Sequence, residues 1–322
     1  MNAFDAIYCN NVEVLREYLE VGNVNIKNER GMSLLHYAII FNNQEIFDLL
    51  LENYINVNMQ DNFGDTPLLY CIINNRMGFL KSLLSHNADL KIKNNAGQTA
   101  LFKACALGRE DMVYLLLESI NYNLYEKDSK KETVFMALVR SRNLQLLEKL
   151  TLDDKIVNEK NYLGETALHI AVKSNDIKIV NYIIKNKAFI NSKNNTKETP
   201  LFYAVSNNNY EIIDLLIKNG ALTDCKSTFD ETVFDIARSQ DIINYINNKA
   251  DEYKINQYIS IYPLHHAIIT ENFELVKKYI LPQNINRKDS FGYQPIDLAI
   301  NIGNDRITSL IKENYNNAWN LR

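Results

Sequence analysis

The chain has few of the residues that usually break a polypeptide into turns: 10 glycines and 5 prolines in 322 residues. Its turns must come mostly from Asn, Asp and Ser, whose short polar side chains bond the local backbone. Cysteine is scarce too. Cys9, Cys71, Cys105 and Cys225 form no C-x-x-C pair, which removes the common zinc and redox spacings. They read as small buried apolar residues of a reducing compartment, and a Cys71–Cys105 bridge is the alternative. No apolar run reaches the length of a membrane span, so no membrane insertion is expected. The opening residues lack a basic stretch followed by an apolar run, so no secretory signal is expected. A cytoplasmic location is expected, or export by a route without a cleaved N-terminal signal. Excess positive charge is also missing: 35 Lys and Arg stand against 39 Asp and Glu, a net charge of −4. Phosphate contacts need clustered cations, so no nucleic-acid partner is expected. No G-x-S-x-G, H-E-x-x-H, Walker A, dinucleotide glycine or calcium-loop pattern occurs. Catalytic residues, cofactors and metals are accordingly all expected to be absent.

What is present is self-similarity. At 322 residues the chain is too long for one ordinary core and suits two domains or a repeat array. Gly31, Gly64 and Gly97 are 33 apart (64 − 31, 97 − 64), and so are Thr166, Thr199 and Thr232. Around these anchors a phrase recurs: SLLHYA at Ser33, TPLLYC at Thr66, TALFKA at Thr99, TVFMAL at Thr133, TALHIA at Thr166, TPLFYA at Thr199 and TVFDIA at Thr232. Weaker copies are YPLHHA at Tyr262 and QPIDLA at Gln294. Apolar clusters at helical spacing follow, such as those from Ile46, Met112, Ile179, Ile212 and Leu275. Thr or Ser suits the cap of a first helix, and Pro is tolerated just after it. The small Ala lets helices stack closely. Five residues before the anchors stand Asn28, Asp61, Asn94, Asp128, Asn161, Asn194 and Asp289, residues suited to a tight projecting turn.

This phrase and period resemble the ankyrin repeat, over nearly the whole chain. The resemblance implies an all-α solenoid of helix-turn-helix repeats with short β-hairpin fingers: about nine repeats, and an N-terminal cap around Ala6, Val14, Leu15, Tyr18 and Leu19. Departures mark irregular places. The spacing from Thr99 to Thr133 is 34, Lys131 stands where Gly is expected, and Leu138 where Ala is expected. The Thr232 repeat is shortened, because Ala237 reaches Ile242 in 5 residues. A joint is therefore expected near residues 248–258, dividing residues 1–247 from 248–322, with the repeats continuous across it. Helix and loop are both open for residues 247–258.

The resemblance also assigns roles. His36, His169 and His265 sit at the T-P-L-H position and are expected to bond finger backbone. His86, near the end of a second helix, is expected to favour its last carbonyls. Finger tips and the ends of inner helices would line one concave face. Phe63, Tyr162, Phe229 and Phe291 are aromatic at finger tips and Phe41 lies at an inner-helix end, which suits interface anchors. Folding back over the neighbouring finger is the alternative for these rings. Glu132, Glu165, Glu198 and Glu231 form a ladder at intervals of 33. It reads either as a solvated face or as an acidic row for a basic partner. The function expected is a scaffold that binds another protein on this face, with inhibition or sequestration as one specific form. A regulatory or targeting subunit of an enzyme complex is the alternative, and an enzyme with an unrecognised site is a third. An open groove without a closed pocket does not suit a small-molecule substrate.

Overall fold

A computed structural model describes residues 2–119, 123–150 and 152–319. The chain divides into two compact units, Met1–Arg238 and Ser239–Arg322. In the N-terminal unit, inner and outer helices alternate. They are α1 (Ala3–Tyr8) and α2 (Val12–Val21); α3 (Leu34–Ile40) and α4 (Gln44–Glu52); α5 (Pro67–Ile73) and α6 (Met77–Ser85); and α7 (Ala100–Ala106) and α8 (Glu110–Ser119). Then come α9 (Val134–Arg140) and α10 (Leu144–Glu148), the short α11 (Asp154–Asn158), α12 (Ala167–Lys173) and α13 (Ile177–Lys185), and α14 (Pro200–Ser206) and α15 (Tyr210–Lys218). The C-terminal unit holds α16 (Gln240–Ile261), α17 (Pro263–Ile269), α18 (Phe273–Tyr279), α19 (Pro282–Ile285), α20 (Pro295–Ile302) and α21 (Asp305–Trp319).

The recurring phrase makes the inner helices by capping. The hydroxyls of Thr66, Thr99 and Thr133 accept from the backbone N–H three residues on (3.3, 3.3 and 3.1 Å). Pro67 and Pro200 open α5 and α14, where no N–H acceptor is needed. Ala38, Ala104, Ala171 and Ala204 are fully buried, so inner helices approach closely. Outer helices start on Asn11, Asn43, Asn143, Asp176 and Asn209, each accepting from the N–H three residues on.

Fingers are tight turns rather than hairpins of strands. Among the described residues there are only two isolated bridges, Lys27–Ser33 and Lys127–Thr133. Most turns are built on an Asn or Asp, and the one that carries Phe229 on Ser227, whose hydroxyl accepts from the N–H of Phe229 (3.1 Å). The Asp61 carboxylate accepts from the N–H of Phe63 (2.9 Å) and of Asp65 (2.8 Å). Asn28, Asn94, Asp128, Asn161 and Asn194 accept in the same way two and four residues on. The fingers then bond one another. Asn62 N–H donates to Arg30 (3.0 Å), Asn95 to Phe63, Ser129 to Ala96, Tyr162 to Lys130, Asn195 to Leu163 and Thr228 to Thr196 (each 2.9 Å). The 34-residue spacing before Thr133 leaves this ladder intact.

Glycine has a steric task here. A Cβ at Gly31, Gly64 or Gly164 would meet the next finger's Asn62, Asn95 or Asn195 side chain at 2.4–2.6 Å. Those Asn amides donate back to the preceding finger's carbonyls at 2.9–3.0 Å. Lys131 and Lys197 replace the glycine at positive φ, and their following fingers carry Tyr162 and Thr228 instead of Asn.

Two expectations need correction. The phrase at Thr232 forms no helix: residues 233–236 are turn. The Asp235 carboxylate takes both the Thr232 N–H and hydroxyl (2.7 Å each), and the chain is too short to complete an inner helix before α16. Cys9 is exposed, whereas Cys71, Cys105 and Cys225 are buried; all four are free thiols. Burial pushes the Cys71 thiol well up and the Cys105 thiol to about 12. Residues 247–258 lie within the 22-residue α16. In the C-terminal unit, Leu264, Ala267, Ile268, Val276, Ile285, Ala299, Ile307 and Ile311 form the core.

Candidate protein-binding surface

The histidines are structural. Ser33 N–H donates to His36 Nδ1 (3.0 Å), and His36 Nε2 donates to the carbonyl of Asp65 in the next finger (3.0 Å). His169 repeats this with Thr166 (3.1 Å) and Glu198 (3.2 Å). His265 Nε2 reaches the carbonyl of Tyr293 (2.9 Å). Burial lowers the pKa of both His36 and His169 to about 4, so they are neutral links between repeats. His86 caps α6 and pairs with the carbonyl of Ser82 (2.8 Å).

The finger aromatics point into solvent. Phe63 is 68% exposed, Tyr162 51%, Phe229 76% and Phe291 77%. Folding back onto the next finger is thus not their arrangement. Phe63, Tyr162 and Phe229 belong to the N-terminal unit; Phe291 is the tip of the finger on Asp289 in the C-terminal unit. Phe41 differs, being 43% exposed and packed edge-on against Tyr8 (5.4 Å) and near Tyr37 (5.7 Å). Tyr8 itself was not singled out from the sequence, because the capping repeat matches the phrase only in part.

The four ladder carboxylates are not equivalent. Glu132 is buried and accepts from Arg140 Nε (2.9 Å). Glu165 is buried and bonded by Lys173 Nζ, whose ammonium also lies 4.3 Å over the Tyr203 ring. Glu198 is half-buried. Burial opposes its ionisation, but donors from Tyr203 (2.7 Å), Asn194 and Thr196 outweigh this and lower its pKa. Glu231 is exposed. The chain brings Glu132, Glu165 and Tyr162 around one groove, with Lys130, Arg140, Arg142 and Lys173. Phe63, Phe229 and Phe41 lie outside it. Arg142 was not legible as a surface residue from the phrase, since it lies in the turn after the inner helix.

Capped inner helices, stacked fingers and histidine cross-links define a helical repeat scaffold. The family described as ankyrin repeats (3 copies) matches residues 3–94, 56–128, 76–161 and 135–228. These overlap into one stretch of 226 residues (228 − 3 + 1) out of 322. The chain belongs to the ankyrin-repeat family, a class of scaffolds for protein–protein interaction. The structure is similar to the ankyrin repeat domain of Bcl-3, described as a unique member of the IkappaB protein family. The TM-score is 0.56 at 21% identity, covering 68% of this chain and 100% of that one. At that identity the likeness is one of fold. No curated protein matches the sequence. Among the described residues no helix is long and apolar enough to cross a membrane.

Proposed function

We propose that the N-terminal unit holds a partner protein along its finger side, with Phe63, Tyr162 and Phe229 as anchors. The observation that supports this most is the exposure of large rings at three separate finger tips of the unit, where water selects polar residues. Rings of this kind dominate binding energy at protein interfaces. Fully burying one is worth roughly 1.5–3 kcal/mol. Phe41 with Tyr8 extends the apolar area near the cap, and Phe291 serves the same role for the C-terminal unit. Glu132 and Glu165 act within this surface by holding Arg140 and Lys173. Glu231 is the carboxylate of the row that stays open to a cationic group of the partner, and Glu198 is held by its own repeat. Occlusion of an active surface on the partner is one form this binding takes. The proposal assigns no reaction to the chain.

The test is an affinity measurement on the partner captured from the native source. Single Ala substitutions at Phe63, Tyr162 and Phe229 are expected to weaken binding by about 2 kcal/mol each for true anchors, more than tenfold in Kd. The melting temperature should stay unchanged, because the exposed rings contribute little to the fold. Normal binding by the combined variant would place the partner on the outer helices or the ends of the array.

A further inference from the structure

The groove at Tyr162 has an unusual charge arrangement. It measures about 600 Å³ and lies between the fingers on Asp128 and Asn161 and the ends of α9 and α12. Its lining carries four cations, Lys130, Arg140, Arg142 and Lys173, against two carboxylates, Glu132 and Glu165. That is a local excess of two positive charges (4 − 2) on a chain of net charge −4. The two signs also differ in depth. Both carboxylates are buried and all four cations are exposed. Glu132 and Glu165 each neutralise one cation, Arg140 and Lys173. Arg140 bonds Glu132 through its Nε, and its side chain stays 54% exposed. Lys130 and Arg142 make no side-chain hydrogen bond or ion pair among the described residues.

Arg142 is also held at a backbone cost. Its φ is 60°, in the left-handed region. At the same turn the other repeats of the N-terminal unit use Asn10, Asn42, Asn75, Gly108, Asn175 and Asn208. Asn and Gly enter that region more easily than a long side chain does. A strained position whose side chain makes no hydrogen bond or ion pair among the described residues points to an external use. Beside it, Tyr162 and Leu163 offer exposed apolar surface.

We infer that this groove receives an acidic segment of the partner protein. Carboxylates of the segment meet Lys130, Arg142 and the exposed Arg140, and an apolar side chain packs on Tyr162 and Leu163. The inference rests on the finger side being the binding face. A nucleic-acid strand is less well matched, because it needs a longer run of cations than two unpaired side chains above buried carboxylates.

The test uses the full chain and a labelled peptide in which Glu alternates with Leu and Ala, read by fluorescence anisotropy. The same peptide with Lys for Glu and a labelled oligothymidylate are the comparison probes. The Glu peptide should bind, more weakly as salt rises, and the Lys peptide should not. The double variant Lys130→Glu/Arg142→Glu should weaken binding on the order of tenfold. Lys81→Glu/Lys185→Glu, the same charge change on the outer helices, should leave it unchanged. Arg142→Asn should weaken binding yet raise the melting temperature by about 2 °C, since it relieves the backbone. Equal binding of both peptides, tighter binding of the oligonucleotide, equal loss in the outer-helix variant, or a fall in melting temperature on Arg142→Asn would overturn the inference. If the native partner responds to Ala at Phe63, Tyr162 and Phe229 but not to Lys130→Glu/Arg142→Glu, the binding face stands and the acidic segment falls. If it responds to neither, both fall.

Discussion

In the N-terminal unit a finger is held from two sides, by its own inner helix and by the next finger. Tyr70 donates to the Asp61 carboxylate (2.9 Å), Asn28 donates to Tyr37 (3.1 Å) and Asn194 to Tyr203 (2.8 Å). Each tyrosine lies nine residues after its finger residue, on the same repeat. In the C-terminal unit the finger on Asp289 is held differently. Tyr258, from the end of α16, donates to the Asp289 carboxylate at 2.8 Å. Burial opposes ionisation of Asp289, but this bond and the N–H groups of Tyr293 and Phe291 prevail and lower its pKa. The finger geometry is the same in both units, while the support comes from a helix that precedes the repeat in one and from within the repeat in the other. The repeat phrase thus specifies the inner helix, and the residues that brace the finger are a separate choice.

The largest effect that sharpens this comparison is acid sensitivity of the N-terminal unit. His36 and His169 have a folded pKa of about 4 against an ordinary 6.5. As pH falls below 6.5 the unfolded chain takes up these protons and the folded chain does not, so stability is lost between pH 6.5 and 4. The loss should approach on the order of 3 kcal/mol for each histidine. Denaturant melts across that window check this. A double variant with Gln at both positions should flatten the slope, and an unchanged slope would contradict the assignment.

Next in size is a glycine comparison. At Gly64, φ is 76° and an added Cβ would lie 2.6–2.7 Å from Asn95. Gly64→Ala should cost about 2–4 kcal/mol from backbone strain and overpacking together. Gly292 has φ 89° and open space around its Cβ direction. Gly292→Ala should therefore cost only the backbone part, about 1–2 kcal/mol. Equal losses would show that the finger ladder contributes nothing.

The smallest effect concerns the joint. Residues 233–236 are non-helical turn, while residues 248–258 are helical. We expect limited proteolysis to cut first between residues 232 and 239, at the division Met1–Arg238. First cuts within 248–258 would favour the boundary after residue 247 drawn from the sequence.

Much of the fold was legible because the deciding interactions are local or recur at one spacing. Thr caps, Asn and Asp turns and the bridging histidines each need only a few residues in register. The Thr232 segment misled because its phrase matches the others, and only the short path from Ala237 to Ile242 prevents the helix. The carboxylate ladder misled because the position before the cap looks solvent-facing. Only the fold shows Arg140 and Lys173, eight residues on, reaching back over Glu132 and Glu165. Arg142 carries no local signal, since its meaning lies in a backbone angle. The pairing of Gly31, Gly64 and Gly164 with Asn in the following finger is written in the sequence, but its cause appears only when the two tips are seen to touch.

The central claim is that the finger side of the N-terminal unit is the binding face. Photo-crosslinking from defined positions tests it most directly. A photoreactive phenylalanine placed at positions 63, 162 and 229, on the fingers, should capture the partner. The same residue at 81, 118 and 185, on exposed outer-helix positions, should not. Capture from the outer helices without capture from the fingers would contradict the account.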